Sequence, residues 1–211
     1  MDREFSFDTP TNLYNLFTSN KPNLSFYYEL NQIHSDRVVI VDDNYRNNTD
    51  GDAMITTKKN IPLVIKTADC IPILLYDKEN QVLALVHSGW KGTLNNIVSK
   101  TIDKMIDAYH SNPKNIIAYL YPSIRKCHFE IEDDVYSLFK EKITNIDKYT
   151  TSKGNKYYID LQAIVIDSLQ KQGVNDIHDS KICTYCHHEK FYSYRYNHTD
   201  KRNYLIGIIK E

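Results

Sequence analysis

The sequence predicts an α+β fold. Three observations carry that expectation: short apolar, β-branched runs bounded by turn residues, amphipathic stretches at helical spacing, and no strict strand–helix–strand alternation of the kind a doubly wound parallel sheet needs. At 211 residues the chain suits one domain, residues 1–211, long enough to bury a full hydrophobic core.

The elements follow in order. Residues 37–42, RVVIVD, read as a short strand entering the polar loop DNYRNNTDGD, whose Asn, Asp and Gly favour turns. IPLVIKTADC, IPILLYD and QVLALVHSG are three apolar segments interrupted by Asp69-Cys70 and by DKEN. The last two read as a hairpin, and their near-continuous apolarity implies burial on both faces. From Thr93 to about Tyr109, Leu94, Ile97, Val98, Ile102, Met105 and Ile106 share one face, which predicts a single amphipathic helix. SNPKNIIAYLYPSI supplies a turn and a strand, and EDDVYSLFKEKI a second helix. KYYIDLQAIVIDSLQKQGV reads as a strand tip running into a third helix that ends near Gly173. FYSYR and YLIGII are strand-like. There is no internal repeat, low-complexity linker or Gly-rich dinucleotide or Walker loop.

Composition narrows the function classes. A formal charge of -1 argues against a nucleic-acid binder that neutralises phosphates. Apolar runs such as IPILLY fall far short of the ~20 residues a membrane-spanning helix needs. The N-terminal MDREFSFDTPTNLYNLF has no apolar signal core, so the expected location is the cytoplasm. There Cys70, Cys127, Cys183 and Cys186 are expected as thiols or ligands rather than disulfides.

His34, Cys70 and His87 each end an apolar or extended segment. Ligands collect at the carboxyl ends of strands, so Cys70 and His87 could face one crevice. Two histidines and a thiolate would give zinc three protein ligands and an open fourth position. Two other readings stay open: packed, hydrogen-bonded residues, or a metal-free pair in which Cys70 attacks and His87 or His34 is the base. Asp69 and Cys70 would point to opposite faces of a strand, whereas a turn would bring both into the pocket. After His87, Gly89 and Gly92 allow close backbone approach; a helix start with Lys91 beside it suits an anion, and the alternative is a tight turn with Trp90 in the core. CTYC, a lone Cys-x-x-Cys, reads as structural, and Cys127-His128 could join it in a second metal site. Arg195, flanked by aromatics, could present a fixed charge to a nucleoside or carboxylate, or form a surface cation-π pair.

QIHSDRVVIVD, TDGDAMIT, KTADCIPILLYD, VHSGWKGTLNNIV, YPSIRKCHFEI, YIDLQAIVIDSL, CTYC and FYSYR, spread over about residues 31–209, together resemble the YfiH or laccase-domain family, also called the peptidoglycan editing factor or purine nucleoside phosphorylase family. The resemblance implies layered mixed β-sheets flanked by helices, a scaffold shared with cytotoxic-necrotizing-factor-like relatives. It implies zinc, with copper as the alternative metal, held by His34, Cys70 and His87. It further implies phosphorolysis of adenosine, inosine, guanosine and methylthioadenosine to base and ribose 1-phosphate, plus deamination of adenosine. On that reading Cys70, Asp69 and His34 are catalytic, with Asp69 as proton carrier, and Gln32, Trp90, Lys91 and Arg195 bind substrate. The partners are then purine nucleosides and phosphate, with neither nucleic acid nor membrane.

The sequence departs from the family at three places. A longer N-terminal portion usually precedes the Q-x-H motif, which here follows only about thirty residues. Tyr121 stands where the family has Gly before Pro122, and Lys91 where it has Arg, which keeps the charge but loses the bidentate fork. Three alternatives accompany the leading reading: a peptidoglycan-precursor editing amidase acting through Cys70, a copper polyphenol oxidase, and a non-catalytic binding module. The oxidase needs many histidines in paired His-x-His motifs, and only His187 and His188 are adjacent here.

Overall fold

The computed structural model describes residues 3–211. Its first half runs β1 (Glu4–Phe5), β2 (Leu13–Thr18), β3 (Tyr28–Glu29), β4 (Val38–Ile40), β5 (Ala53–Thr56), β6 (Leu63–Thr67), β7 (Ile71–Asp77), β8 (Val82–Ser88), α1 (Trp90–Leu94) and α2 (Ile97–Tyr109). The second half runs β9 (Ile116–Leu120), β10 (Glu130–Ile131), α3 (Asp133–Lys142), β11 (Thr150–Lys153), β12 (Lys156–Ile159), α4 (Leu161–Lys171), β13 (Asp176–Asp179), α5 (Tyr194–Asn197) and β14 (Asn203–Ile209).

The central sheet has the order β13-β9-β7-β8-β5-β4, with parallel pairs only at its two edges. A second sheet, β1-β2-β14-β6-β3, covers one of its faces, and helices cover the other. This explains the continuous apolarity of β7 and β8, because successive side chains point to opposite faces and both faces are dry. Ile71, Ile73 and Leu75 pack toward Ile97, Ile102 and Met105 of α2 and Ile164, Val165 and Leu169 of α4. Leu74 and Tyr76 pack instead toward Phe17, Ile65 and Leu205 of the second sheet. Each such side chain contributes about 1.5–3 kcal/mol of hydrophobic burial. Gly207 lets the sheets meet closely: a Cβ there would stand 3.1 Å from Leu85 and 3.3 Å from Leu74 and Leu83. A small third sheet, β10-β12-β11, pairs with neither of these and sends Ile131 and Ile159 into the helix-side core.

The α+β class, the hairpin of β7 and β8, and the second and third helices match the sequence expectation. Two elements do not. The predicted helix from Thr93 to Tyr109 is two helices, α1 beginning at Trp90 and α2 at Ile97, broken at Asn96, whose left-handed backbone (φ 58°) Asn tolerates better than most residues. FYSYR is not a strand: the Ser193 hydroxyl accepts from the Tyr196 amide and caps the short helix α5, while the Asp69 carboxylate takes the Arg195 amide that a sheet ladder would have used. β1, β2 and β3 precede the first element that periodicity predicts.

Candidate functional site

Register places the site's cysteine. Ile71 pairs with Ser88 and Pro72 with His87, so Cys70, one residue before β7, lies opposite Gly89, one residue after β8. A Cβ on Gly89 would come 3.1 Å from Cys70 Sγ and 3.2 Å from the His34 ring. Glycine is needed here for that close approach. His34, in the loop between β3 and β4, has a left-handed backbone (φ 56°) and packs its ring edge-on to His87, with centroids 4.9 Å apart. One nitrogen each of His34 and His87 and the sulfur of Cys70 lie within 4.8 Å of one another.

Asp52 organises this cluster. Its fully buried carboxylate accepts from the amides of Ile33 (3.3 Å), His34 (3.0 Å) and Ser35 (2.6 Å) and from the Ser35 hydroxyl (2.7 Å). With those donors around it, the carboxylate is ionised and must also accept from His87 Nδ1 at 2.8 Å, which leaves Nε2 to face Cys70 and His34. Burial works against the Asp52 charge, but the hydrogen bonds from His87 and Ser35 outweigh it and hold the acid below its ordinary range. Burial likewise opposes the Cys70 thiolate; His87 and His34 overcome it and bring the thiol down to about 6. His87 moves the other way, to about 9, because Cys70 and Asp52 outweigh its desolvation. The donor set suits a metal: a thiolate and two imidazoles converge, and the Asp52 carboxylate on His87 Nδ1 fixes that ring's tautomer.

The cluster opens into a cavity of about 650 Å³. That volume suits a drug-sized or nucleoside-sized ligand. Trp90, Phe129 and Tyr194 give it aromatic surface, Leu30, Ile124 and Leu161 aliphatic surface, and Lys66, Arg195 and Arg202 its cations. The left-handed turn at Asp69 (φ 89°) brings both Asp69 and Cys70 to this cavity, the alternative to the strand in which they would face opposite ways. Both Asp69 oxygens already accept bonds, from the Thr184 hydroxyl and the Arg195 amide, each at 2.7 Å. Gln32 lines the cavity too, but its amide pairs with the Lys66 backbone, donating to the carbonyl and accepting from the N–H, each at 2.8 Å. That pairing ties the His34 loop to β6.

Arg195 spends Nη1 on the carbonyls of His128 (3.0 Å) and Glu130 (2.9 Å), so it positions a loop as well as a charge. Trp90 is half-buried, on the cavity wall and near Phe139. Lys91 is exposed, lies over the Trp90 ring and does not line the cavity. Sequence reading missed Asp52, Lys66 and Arg202. For Asp52 the signal was there in TDGDAMIT, where an aspartate heads a strand destined for full burial.

Fold and site together define an α+β protein with a Cys/His cluster at an open cavity. The chain belongs to the enzyme family described as multi-copper polyphenol oxidoreductase laccase, whose sequence pattern matches residues 11–209. Among curated relatives, a purine nucleoside phosphorylase of Rickettsia prowazekii is 36% identical over 168 residues, 79% of this chain and 69% of that one. One from Clostridium acetobutylicum is 37% identical over 185 residues, 86% and 76% of the two chains. Among solved structures, Neisseria meningitidis protein NMB0706 superposes with a TM-score of 0.86 at 24% identity, over 99% of this chain and 98% of that one, and shares the fold. Bacillus licheniformis YfiH gives 0.81 at 26% identity, over 88% and 74%. Among the described residues no helix is long and apolar enough to cross a membrane.

Proposed function

We propose that this chain is a zinc-dependent purine nucleoside phosphorylase, cleaving adenosine, inosine, guanosine and methylthioadenosine with phosphate, and that it also deaminates adenosine. The observation that carries the reading is the convergence of His34, Cys70 and His87 on one cavity that also has aromatic walls and cations. The relatives' names supply the substrate class. Zinc at the cluster would supply Lewis-acid polarisation and activation of water.

The chain's own groups do the rest. Asp52 holds His87 in the tautomer that ligates and clamps the His34 loop. Trp90, Phe129 and Tyr194 offer flat surface to a purine, and Lys66, Arg195 and Arg202 offer positive charge to phosphate. In phosphorolysis a phosphate oxygen bonds to the anomeric carbon as the bond to the purine nitrogen breaks, and the departing base takes the electron pair and then a proton. In this reading Asp69, whose oxygens hold Thr184 and the Arg195 amide at the cavity, is the proton carrier, and Gln32 holds the loop from which His34 reaches the cluster. A cytoplasmic location belongs to the same reading, since cysteines that act as thiolate ligands must stay reduced, as a reducing compartment keeps them.

The test is direct: incubate the purified protein with adenosine and phosphate and look for adenine, ribose 1-phosphate and inosine. Absence of all three sinks the proposal, and unchanged zinc content in His87→Ala sinks the ligand assignment. One observation favours a second reading, a cysteine-dependent amidase acting on peptidoglycan precursors: Cys70, His87 and Asp52 also form a nucleophile, base and orienting-acid series. An acyl adduct on Cys70 after treatment with an activated ester, formed with zinc present, would favour it.

A further inference from the structure

Away from the cavity cluster, Cys127 and His128 from the loop after β9 meet Cys183 and Cys186 from the loop after β13. Cys127 Sγ is 3.7 Å from Cys183 Sγ and 3.8 Å from Cys186 Sγ. His128 Nδ1 is 3.2 Å from Cys127 Sγ and 3.4 Å from Cys186 Sγ. All four donor atoms lie within 4.8 Å of one another. A tetrahedron with zinc–sulfur bonds of about 2.3 Å and zinc–nitrogen bonds of about 2.05 Å has edges of about 3.8 Å between sulfurs and about 3.6 Å between sulfur and nitrogen. The observed separations approach those edges. They are far longer than a disulfide bond of about 2.05 Å.

We propose that Cys127, His128, Cys183 and Cys186 form a second, structural zinc site, closed by four protein ligands and distinct from the cavity cluster. Backbone pairing sets its two halves: Ser123 bridges to Cys183, the Thr184 amide donates to the Ser123 carbonyl (3.1 Å), and the His187 amide to the Cys183 carbonyl (3.0 Å). The His128 ring stacks on Tyr185, centroids 3.9 Å apart and planes 15° from parallel, with Nδ1 turned to the sulfurs. The Arg125 amide donates to Cys183 Sγ at 3.5 Å, the kind of outer-shell bond that steadies a thiolate ligand. Three thiolates select a soft or borderline ion, and four filled positions leave no room for substrate.

The site holds together two pieces of the cavity wall. Thr184, between Cys183 and Cys186, donates to Asp69, and Arg195 grips the carbonyls of His128 and Glu130. A clamp at the four ligands therefore fixes Asp69 and Arg195 from behind.

Metal analysis of the desalted, zinc-grown protein should find two zinc ions per chain, falling to one in Cys186→Ser and to one in His87→Ala. Cobalt substitution separates the sites, since the proposed site has three sulfurs and the cavity cluster one. The intense thiolate charge-transfer bands should persist in His87→Ala and fall by about two-thirds or more in Cys186→Ser. Should Cys186→Ser not fold, Cys186→His keeps four donors and should keep two metals with a weakened sulfur band. Equal metal content and an equal cobalt spectrum in wild type and the Cys186 variants would overturn the proposal. So would a native mass lower by two hydrogens with Cys127 joined to Cys183 or Cys186. If the cavity cluster takes no zinc, the wild type still binds one ion with the three-sulfur spectrum, so the two readings fail independently.

Discussion

The two Cys/His clusters differ in how much of their donor sphere the chain fills and where the supporting structure comes from. His34, Cys70 and His87 offer three donors beside a cavity, and a buried carboxylate backs one of them. Cys127, His128, Cys183 and Cys186 offer four donors at the surface, backed by amides and a stacked ring. The first set leaves room for a reacting molecule and the second does not. On the two proposals, the same residue types serve chemistry or cross-linking according to the number converging.

The largest expected effect breaks the support of the first cluster. Asp52→Ala leaves the buried His87 ring and three loop amides without their acceptor, a loss of about 3–5 kcal/mol for a buried pair with one partner removed. Urea unfolding of the zinc-free protein should show that loss. Metal analysis should show the cavity cluster empty and the four-ligand cluster filled; loss of both together would mean they are one cooperative unit.

Gly89→Ala is a smaller intrusion at the same place. The new methyl must push aside Cys70 or His34, which overpacking data put at about 1–3 kcal/mol. Zinc affinity of the cavity cluster should weaken by at least tenfold in a chelator competition, with the cobalt spectrum of the three-sulfur cluster unmoved.

How much of this was legible beforehand divides along the same line. The strands β6 to β9 and the amphipathic stretch of α2 could be read because a buried two-faced sheet and a half-buried helix each leave a periodic apolar signature. Cys70 and His87 stand out because they interrupt that signature at strand ends, whereas His34 lies in a loop, and the family resemblance rather than spacing ties the three to one metal. What makes them a site could not: Asp52 reaches His87 across 35 positions through the pairing of β5 with β8. The alternating aromatics around Arg195 mimic a strand, whereas capture of its amide by Asp69, 126 positions away, decides the turn. Cys127 and Cys186 are 59 positions apart and meet only because β13 lies parallel to β9, which no local pattern records.

The thiols should separate the clusters by pH in the zinc-free, reduced protein. Burial opposes the Cys70 thiolate, but its contacts with His87 and His34 outweigh burial and hold the thiol at about 6. Burial and the neighbouring sulfurs of Cys183 and Cys186 push Cys127 up to about 12. Only the thiolate alkylates, so its fraction rises as pH climbs through each value. Iodoacetamide labelling mapped by peptide mass should reach half its plateau rate near pH 6 at Cys70, while Cys127 stays slow through pH 9. His87→Ala removes the largest opposing charge and should move the Cys70 midpoint up by more than a unit; an unmoved midpoint would deny the His87 contact its role.

The smallest effect concerns Lys91, expected from the sequence to bind an anionic co-substrate. Its ammonium lies over the Trp90 ring, 5.5 Å from the centroid, outside the cavity lining to which Arg202 and Lys66 belong. An exposed charge of this kind contributes by long-range attraction that salt screens beyond about 10 Å at 0.1 M. Lys91→Met should therefore change the KM for phosphate by less than about twofold at that ionic strength. Arg202→Met, which removes a cavity-lining cation, should raise it about tenfold or more, in keeping with the ~1.5–3 kcal/mol of a charged hydrogen bond. The reverse order would return the anion to the α1 turn beside the three-donor cluster and reassign Arg202 to the wall, where its Nη1 already holds the carbonyls of Thr199 and Lys201.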